Sequence, residues 1–107
     1  MPLPPKLSES QRQAALEKAA AVRRLRAELK EKLKMGSLNL AELFDLAERD
    51  ETVGKMKVVA VLESLPGVGK VRARRIMEEV DISETRRVRG LGNQQREALL
   101  RLFPNSA

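Results

Sequence analysis

The sequence predicts an all-α fold, a small helical protein with one long first helix, and three observations carry that expectation. Apolar residues recur three and four apart along most of the chain, the helical period rather than the alternation of a strand. Two segments open with the reciprocal cap that starts a helix, Ser8 with Gln11 and Asn39 with Glu42. The single run of strand-formers, Val58-Val59-Ala60-Val61, has no second strand to pair with, so a helix is expected there too. At 107 residues the chain is sized for one domain with a modest core.

Residues 1 to 7 are rich in proline and cannot begin a helix, so they are expected to form an extended arm ahead of a helical domain over 8–107. The first helix, assigned to 8–35, is dense in Ala, Leu, Glu, Lys and Arg, contains no Gly or Pro, and stops at Gly36-Ser37. Its apolar stripe is Ala15, Ala19, Val22, Leu25, Leu29 and Leu33, expected to be core. Arg23, Arg26, Lys30 and Lys34 fall on another face. Short helices are expected over 39–65. One packs Leu40, Leu43, Phe44 and Ala47 and ends near Arg49; the next runs from Thr52, with a break at Gly54, and offers Met56, Val59, Val61, Leu62 and Leu65. A helix over 70–80 and a last one, capped by Asn93 and reaching Phe103, complete the 65–103 region.

Composition excludes much chemistry. There is no Cys and no His, so thiolate and imidazole metal sites, cysteine nucleophiles and the usual general base are all missing, and no cofactor, metal or enzymatic activity is expected. The acidic Glu42, Asp45, Glu48, Asp50 and Glu51 lack the Gly and Asn spacing of a calcium loop and read as a solvated face. No stretch is long and apolar enough to span a bilayer, and the first residues lack a secretory apolar region, so a cytoplasmic protein without a membrane partner is expected.

Charge gives the positive signal. Lys and Arg number 21 against 15 Asp and Glu, a net charge of +6, with basic thirds flanking an acidic middle. A polyanion is the expected partner. The only aromatics, Phe44 and Phe103, lie on apolar helical patterns, leaving no platform for unpaired bases and favouring a duplex.

Two Gly-x-Gly turns focus that charge. In Leu65-Pro66-Gly67-Val68-Gly69-Lys70 the glycines allow a tight turn that exposes consecutive N–H groups where a helix begins, and Lys70 adds a point charge. Val71 and Arg72 follow on the first helical turn. Val88-Arg89-Gly90-Leu91-Gly92 repeats the pattern 23 residues later. Neither is a nucleotide-binding P-loop, because Ser64 and Val71 stand where Gly and Ser or Thr are required, and Arg72 replaces the third Gly of a dinucleotide fingerprint.

The segment from Leu65 to Met77 resembles the helix-hairpin-helix class of sequence-tolerant DNA binders. With Ile82 to Leu100, above all Thr85-Arg86-Arg87-Val88-Arg89-Gly90-Leu91-Gly92, it is similar to the helix-two-turns-helix module of a small-subunit ribosomal protein and some glycosylases. The whole chain, including 14–20 and 54–58, resembles the actinobacterial integration host factor family. That resemblance implies a nucleoid-associated protein that binds duplex DNA with little sequence preference, alters its topology, condenses it and supports phage integration. It shares only a name with the β-ribbon integration host factor that kinks DNA. Carried onto this sequence, the first phosphate-gripping turn is Gly67, Val68, Gly69 and Lys70. The second DNA-facing turn is Arg86, Arg87, Arg89, Gly90, Leu91 and Gly92, and Lys55 and Lys57 are flanking contacts. Arg23, Arg26, Lys30 and Lys34 are either a solvated face or a second DNA site. A monomer is expected, with a topoisomerase or phage integrase as further candidate partners. The alternative reading is an RNA-binding or ribosome-associated protein.

Overall fold

A computed structural model describes residues 8–103, so the proline-rich arm expected over 1–7 lies outside the described residues. Six α-helices follow in order: α1 Glu9–Met35, α2 Leu40–Arg49, α3 Glu51–Gly54, α4 Val58–Ser64, α5 Lys70–Glu79 and α6 Asn93–Leu102. A 3-10 turn, Val88–Gly90, precedes α6. The fold is all-α, as the period predicts. Lys57 and Arg87 form an isolated antiparallel bridge in which Val58 N–H donates to Arg86 O and Val88 N–H to Met56 O, at 3.0 and 2.9 Å.

Local chemistry sets the helix ends. Ser8 Oγ accepts from Gln11 N–H at 3.1 Å while the Gln11 side chain accepts from Ser8 N–H at 3.0 Å. Asn39 and Glu42 make the same reciprocal pair. Gly36, left-handed at φ 79°, closes α1 with its N–H on Leu33 O. The break expected at Gly54 comes just after it, where α3 ends. Asp50 caps α3 by accepting from Thr52 and Val53 N–H.

The core gathers Leu29 and Leu33 of α1, Leu40, Leu43, Phe44 and Ala47 of α2, Val53 of α3, and Val58, Val61 and Leu62 of α4. Ala73, Ile76 and Met77 of α5 and Leu99 of α6 complete it, joined by Met56, Leu65, Val68, Ile82, Val88 and Leu91 from the links. A buried Leu, Ile or Met contributes about 1.5–3 kcal/mol relative to exposure. Val59 is only half-buried.

The apolar stripe of α1 requires a correction. Only Leu29 and Leu33 are buried and Val22 and Leu25 half-buried, whereas Ala15 and Ala19 are exposed, as is Leu16. Twenty-seven residues make a helix of roughly 40 Å at 1.5 Å per residue. The body of short helices is narrower than that, and the described chain measures 53 × 31 × 26 Å. The first three turns of α1 therefore project into solvent.

Candidate nucleic-acid interface

The first turn links α4 to α5. Leu65 ends α4, Val68 is buried beneath the turn with its N–H on Leu65 O at 3.1 Å, and Gly67 takes the left-handed φ of 74° that favours glycine. Gly69 differs from that expectation: it is extended, at φ −91° and ψ −179°, a conformation open to any residue. Its distinction is space, since a Cβ built there meets nothing within 4 Å.

The first bond of α5 runs from Ala73 N–H to Gly69 O, so the N–H groups of Lys70, Val71 and Arg72 find no acceptor among the described residues. No side chain caps this helix. Those donors sit at the positive end of a ten-residue helix and face outward, with Lys70 exposed beside them and Val71 71% exposed. No protein group among the described residues would have to leave for an acceptor to reach this end. Arg72 Nη1 turns back to Gly67 O at 3.4 Å, and Arg74 Nε pairs with Glu84 at 3.0 Å. The basic run on α5 is thus partly spent inside the molecule.

The second turn is built otherwise. Gly90 lies in the 3-10 turn with a negative φ, and a Cβ there would press Arg86 Cδ at 3.1 Å. Arg86 Nη1 donates to Gly90 O at 2.8 Å and Arg87 Nη1 to Lys55 O at 3.0 Å, so both arginines brace the backbone and retain further donors. Arg89 is exposed, and its Cβ lies beside Gly54, where an added Cβ would meet it at 3.3 Å. Leu91 is buried. Gly92, not Asn93, caps α6, in the same extended form as Gly69, which corrects the expected cap by one residue. The two turns therefore match at their second glycine and not at their first.

Gln95 escaped the sequence reading. Its Oε1 accepts from Gly92 N–H at 3.0 Å and its Nε2 donates to Asp81 O at 2.9 Å, tying the second turn to the end of α5. Its spacing of three from the cap was the available signal. Arg96 was missed as well: it meets Glu48 at 2.9 Å and lies 5.7 Å over the Phe44 ring, joining α6 to α2.

Lys57 is exposed at the N-cap of α4, while Lys55 Nζ pairs with Glu51 at 3.0 Å. That ammonium, by hydrogen bond and by charge, holds the Glu51 carboxyl below its ordinary range. The four cations of α1 do not share one site. Lys30 and Lys34 border the same groove as Gly67, Gly69 and Lys70, Arg26 and Lys30 face the Lys57 region, and Arg23 stands outside both. Helix α4, roughly 10 Å long, separates the Lys57–Arg87 bridge from the Leu65–Lys70 turn. Among the described residues no three carboxylates gather as a metal site, and no helix is long and apolar enough to cross a membrane.

Comparison with known proteins gives a consistent result. A family model described as an S13-like H2TH domain matches residues 33–103. A protein of Mycolicibacterium smegmatis named integration host factor is 60% identical over 102 residues, covering 95% of this chain and 97% of its own. Its counterpart in Mycobacterium tuberculosis is 61% identical over 99 residues, covering 92% and 94%. A protein of the same name in Streptomyces coelicolor is 58% identical over 103 residues, covering 96% and 95%. A solved structure of sIHF bound to an 8-bp palindromic DNA superposes with a TM-score of 0.80 at 57% identity, covering 81% of this chain and 98% of the other. Near-complete coverage at this identity, on a matching helical frame, means that the chain belongs to the actinobacterial integration host factor family.

Proposed function

We propose that this protein binds duplex DNA as a sequence-tolerant component of the nucleoid, holding backbone phosphates at its two Gly-x-Gly turns. One observation carries the reading: the outward N–H groups of Lys70, Val71 and Arg72, beside an exposed lysine and an uncrowded Gly69. Backbone donors at a helix end recognise a phosphate oxygen and are indifferent to the base behind it. Arg86, Arg87 and Arg89 add charge at the second turn, with Gly90, Leu91 and Gly92 shaping it and Lys55 and Lys57 flanking it. Lys30 and Lys34 extend the first groove. The DNA-bound neighbour at 57% identity supports the same partner. Effects on DNA topology, chromosome condensation and phage integration follow from coating a duplex in this way and belong to the proposal, as does a monomer that recruits a topoisomerase or integrase.

Fluorescence anisotropy with a random duplex and a structured RNA of equal charge, over a salt series, tests it. If six to ten phosphates are engaged, duplex affinity falls by about 10³ to 10⁵ between 50 and 200 mM salt, and the duplex binds more tightly than the RNA. Tighter RNA binding would move the protein to a ribosome-associated role, the reading that S13 likeness favours. Binding to neither would leave the basic turns as a surface for a protein partner.

A further inference from the structure

A basic hollow of about 220 Å³ shares Arg87 with the second DNA-facing turn and Lys55 and Lys57 with its flank, and extends from there to α1. It is lined by Arg26 and Lys30 from α1, by Lys55 and Lys57 from the link before α4, and by Arg87. No carboxylate lines it. Five like charges brought together from three parts of the chain repel one another, and the protein relieves only part of that. Lys55 is paired with Glu51, and Arg87 spends one N–H on Lys55 O. The side chains of Arg26, Lys30 and Lys57 make no hydrogen bond or ion pair among the described residues.

Arg26 is the informative member. Its Nε is enclosed and has no hydrogen-bond partner among the described residues. An arginine Nε enclosed without an acceptor is a costly arrangement even though the side chain as a whole is only half-buried. Arg96 Nε is equally enclosed, but its guanidinium has Glu48 at one edge and Phe44 beneath it. Arg26 has neither among the described residues, and its terminal Nη donors, beyond the enclosed Nε, remain for an acceptor in the hollow.

We propose that this hollow is a binding site for a small free polyanion carrying two or more linked phosphates, separate from the Gly67–Lys70 turn. Arg26 and Arg87 offer forked donors that suit phosphate oxygens, and Lys30 and Lys57 add point charges. At about 220 Å³ the hollow far exceeds the roughly 10–15 Å³ that holds one water, leaving room for a short phosphate chain. Lys30 also borders the groove of the first turn, so a bound polyanion cancels charge next to the phosphate-gripping donors and weakens duplex binding. That coupling rests on the DNA reading; the binding itself does not.

Isothermal titration calorimetry of the full chain with inorganic triphosphate, in the absence of DNA, tests the site. One saturable event is expected. Arg26→Met, which keeps the apolar stem, and Lys57→Ala, at an exposed position, each weaken it about tenfold or more, while Lys70→Ala leaves it unchanged. Circular dichroism melts of the three variants confirm that each is folded. A duplex arm separates the two sources of phosphate: if triphosphate fails to saturate and Arg26→Met weakens only duplex binding, the hollow serves the DNA backbone and the proposal is overturned. Equal loss of triphosphate binding in Lys70→Ala and Arg26→Met, pointing to unspecific attraction, overturns it too. Duplex affinity of the unaltered protein reports on the DNA reading independently of either result.

Discussion

Gly67 and Gly69 are two residues apart and perform different tasks. Gly67 is required by the backbone, since its φ of 74° costs an L side chain about 1–2 kcal/mol, so Gly67→Ala should lower the unfolding free energy by that much, read from a fall in the denaturant midpoint. Gly69 is required neither by the backbone nor by packing, since its conformation is ordinary and its Cβ direction is empty, and in the proposed function its part is to leave room for a phosphate. Gly69→Ser separates the two explanations. Serine is a good N-cap, and its hydroxyl accepts from the second or third N–H of α5, so stability should hold or rise slightly by equilibrium unfolding. The same hydroxyl occupies donors proposed to face phosphate, and duplex affinity should fall. Full affinity in a stable Gly69→Ser protein would remove backbone donors from the mechanism. Lys70→Ala should weaken all duplexes alike and reduce the salt slope by about 1, read from anisotropy against salt concentration.

Helix α1 consists of two elements with different energetics. Its second half is held by Leu29 and Leu33, and Leu33→Ala, at a position with 0% exposure, should cost about 2–5 kcal/mol of global stability by chemical denaturation. Its first three turns, exposed from Glu9 to Ala19, depend on the Ser8–Gln11 capping box and on helix propensity. Ser8→Ala removes about 1 kcal/mol, but that loss is local. Hydrogen exchange should show faster exchange over roughly the first two turns while the unfolding midpoint stays in place. A matching drop in the midpoint would mean that the overhang is coupled to the core. This division was not legible in the sequence. Ala15 and Ala19 continue the spacing of Leu29 and Leu33, and periodicity states which face is apolar without stating how far the body beneath it extends. Caps and breaks were legible because they are local: Ser8, Gly36, Asn39 and the turn after Gly54 act on backbone groups within a few residues. The expected cap at Asn93 is displaced to Gly92, because Gln95 three residues on accepts from the Gly92 N–H and so supplies half of the reciprocal cap without a Ser, Thr, Asn or Asp side chain. The bracing roles of Arg86 and Arg87 depend on contacts with Gly90 and with Lys55, 32 residues away in the latter case, and no local pattern encodes the longer of these.

Across the whole molecule, we describe the cations as a single track for one duplex, with Glu31 and Glu63 lining the first groove beside Lys30, Lys34 and Lys70. The sequence left Arg23, Arg26, Lys30 and Lys34 as either a solvated face or a second DNA site. The packing of α1 on α4 brings Lys30 and Lys34 to the groove of the first turn and directs Arg26 to the hollow. A duplex lying across the first turn then meets Lys34 and Lys70 together, and both should contribute to one binding event. Counterion release counts phosphates neutralised by a single duplex, so Lys34→Ala should reduce the salt slope of that event by about 1, as Lys70→Ala does. The double variant adds a sharper criterion. If both lysines reach phosphates of one bound duplex, the slope should fall by about 2, with the losses in binding free energy close to additive unless the two share a phosphate. A lysine serving a second duplex behaves differently: the one-to-one slope stays at its original value in Lys34→Ala, and only the ability to hold two duplexes together is lost. Anisotropy under dilute conditions measures the first quantity and a pull-down of one labelled duplex by another measures the second. An unchanged slope with abolished pull-down would assign α1 to a separate DNA surface and overturn the single-track description.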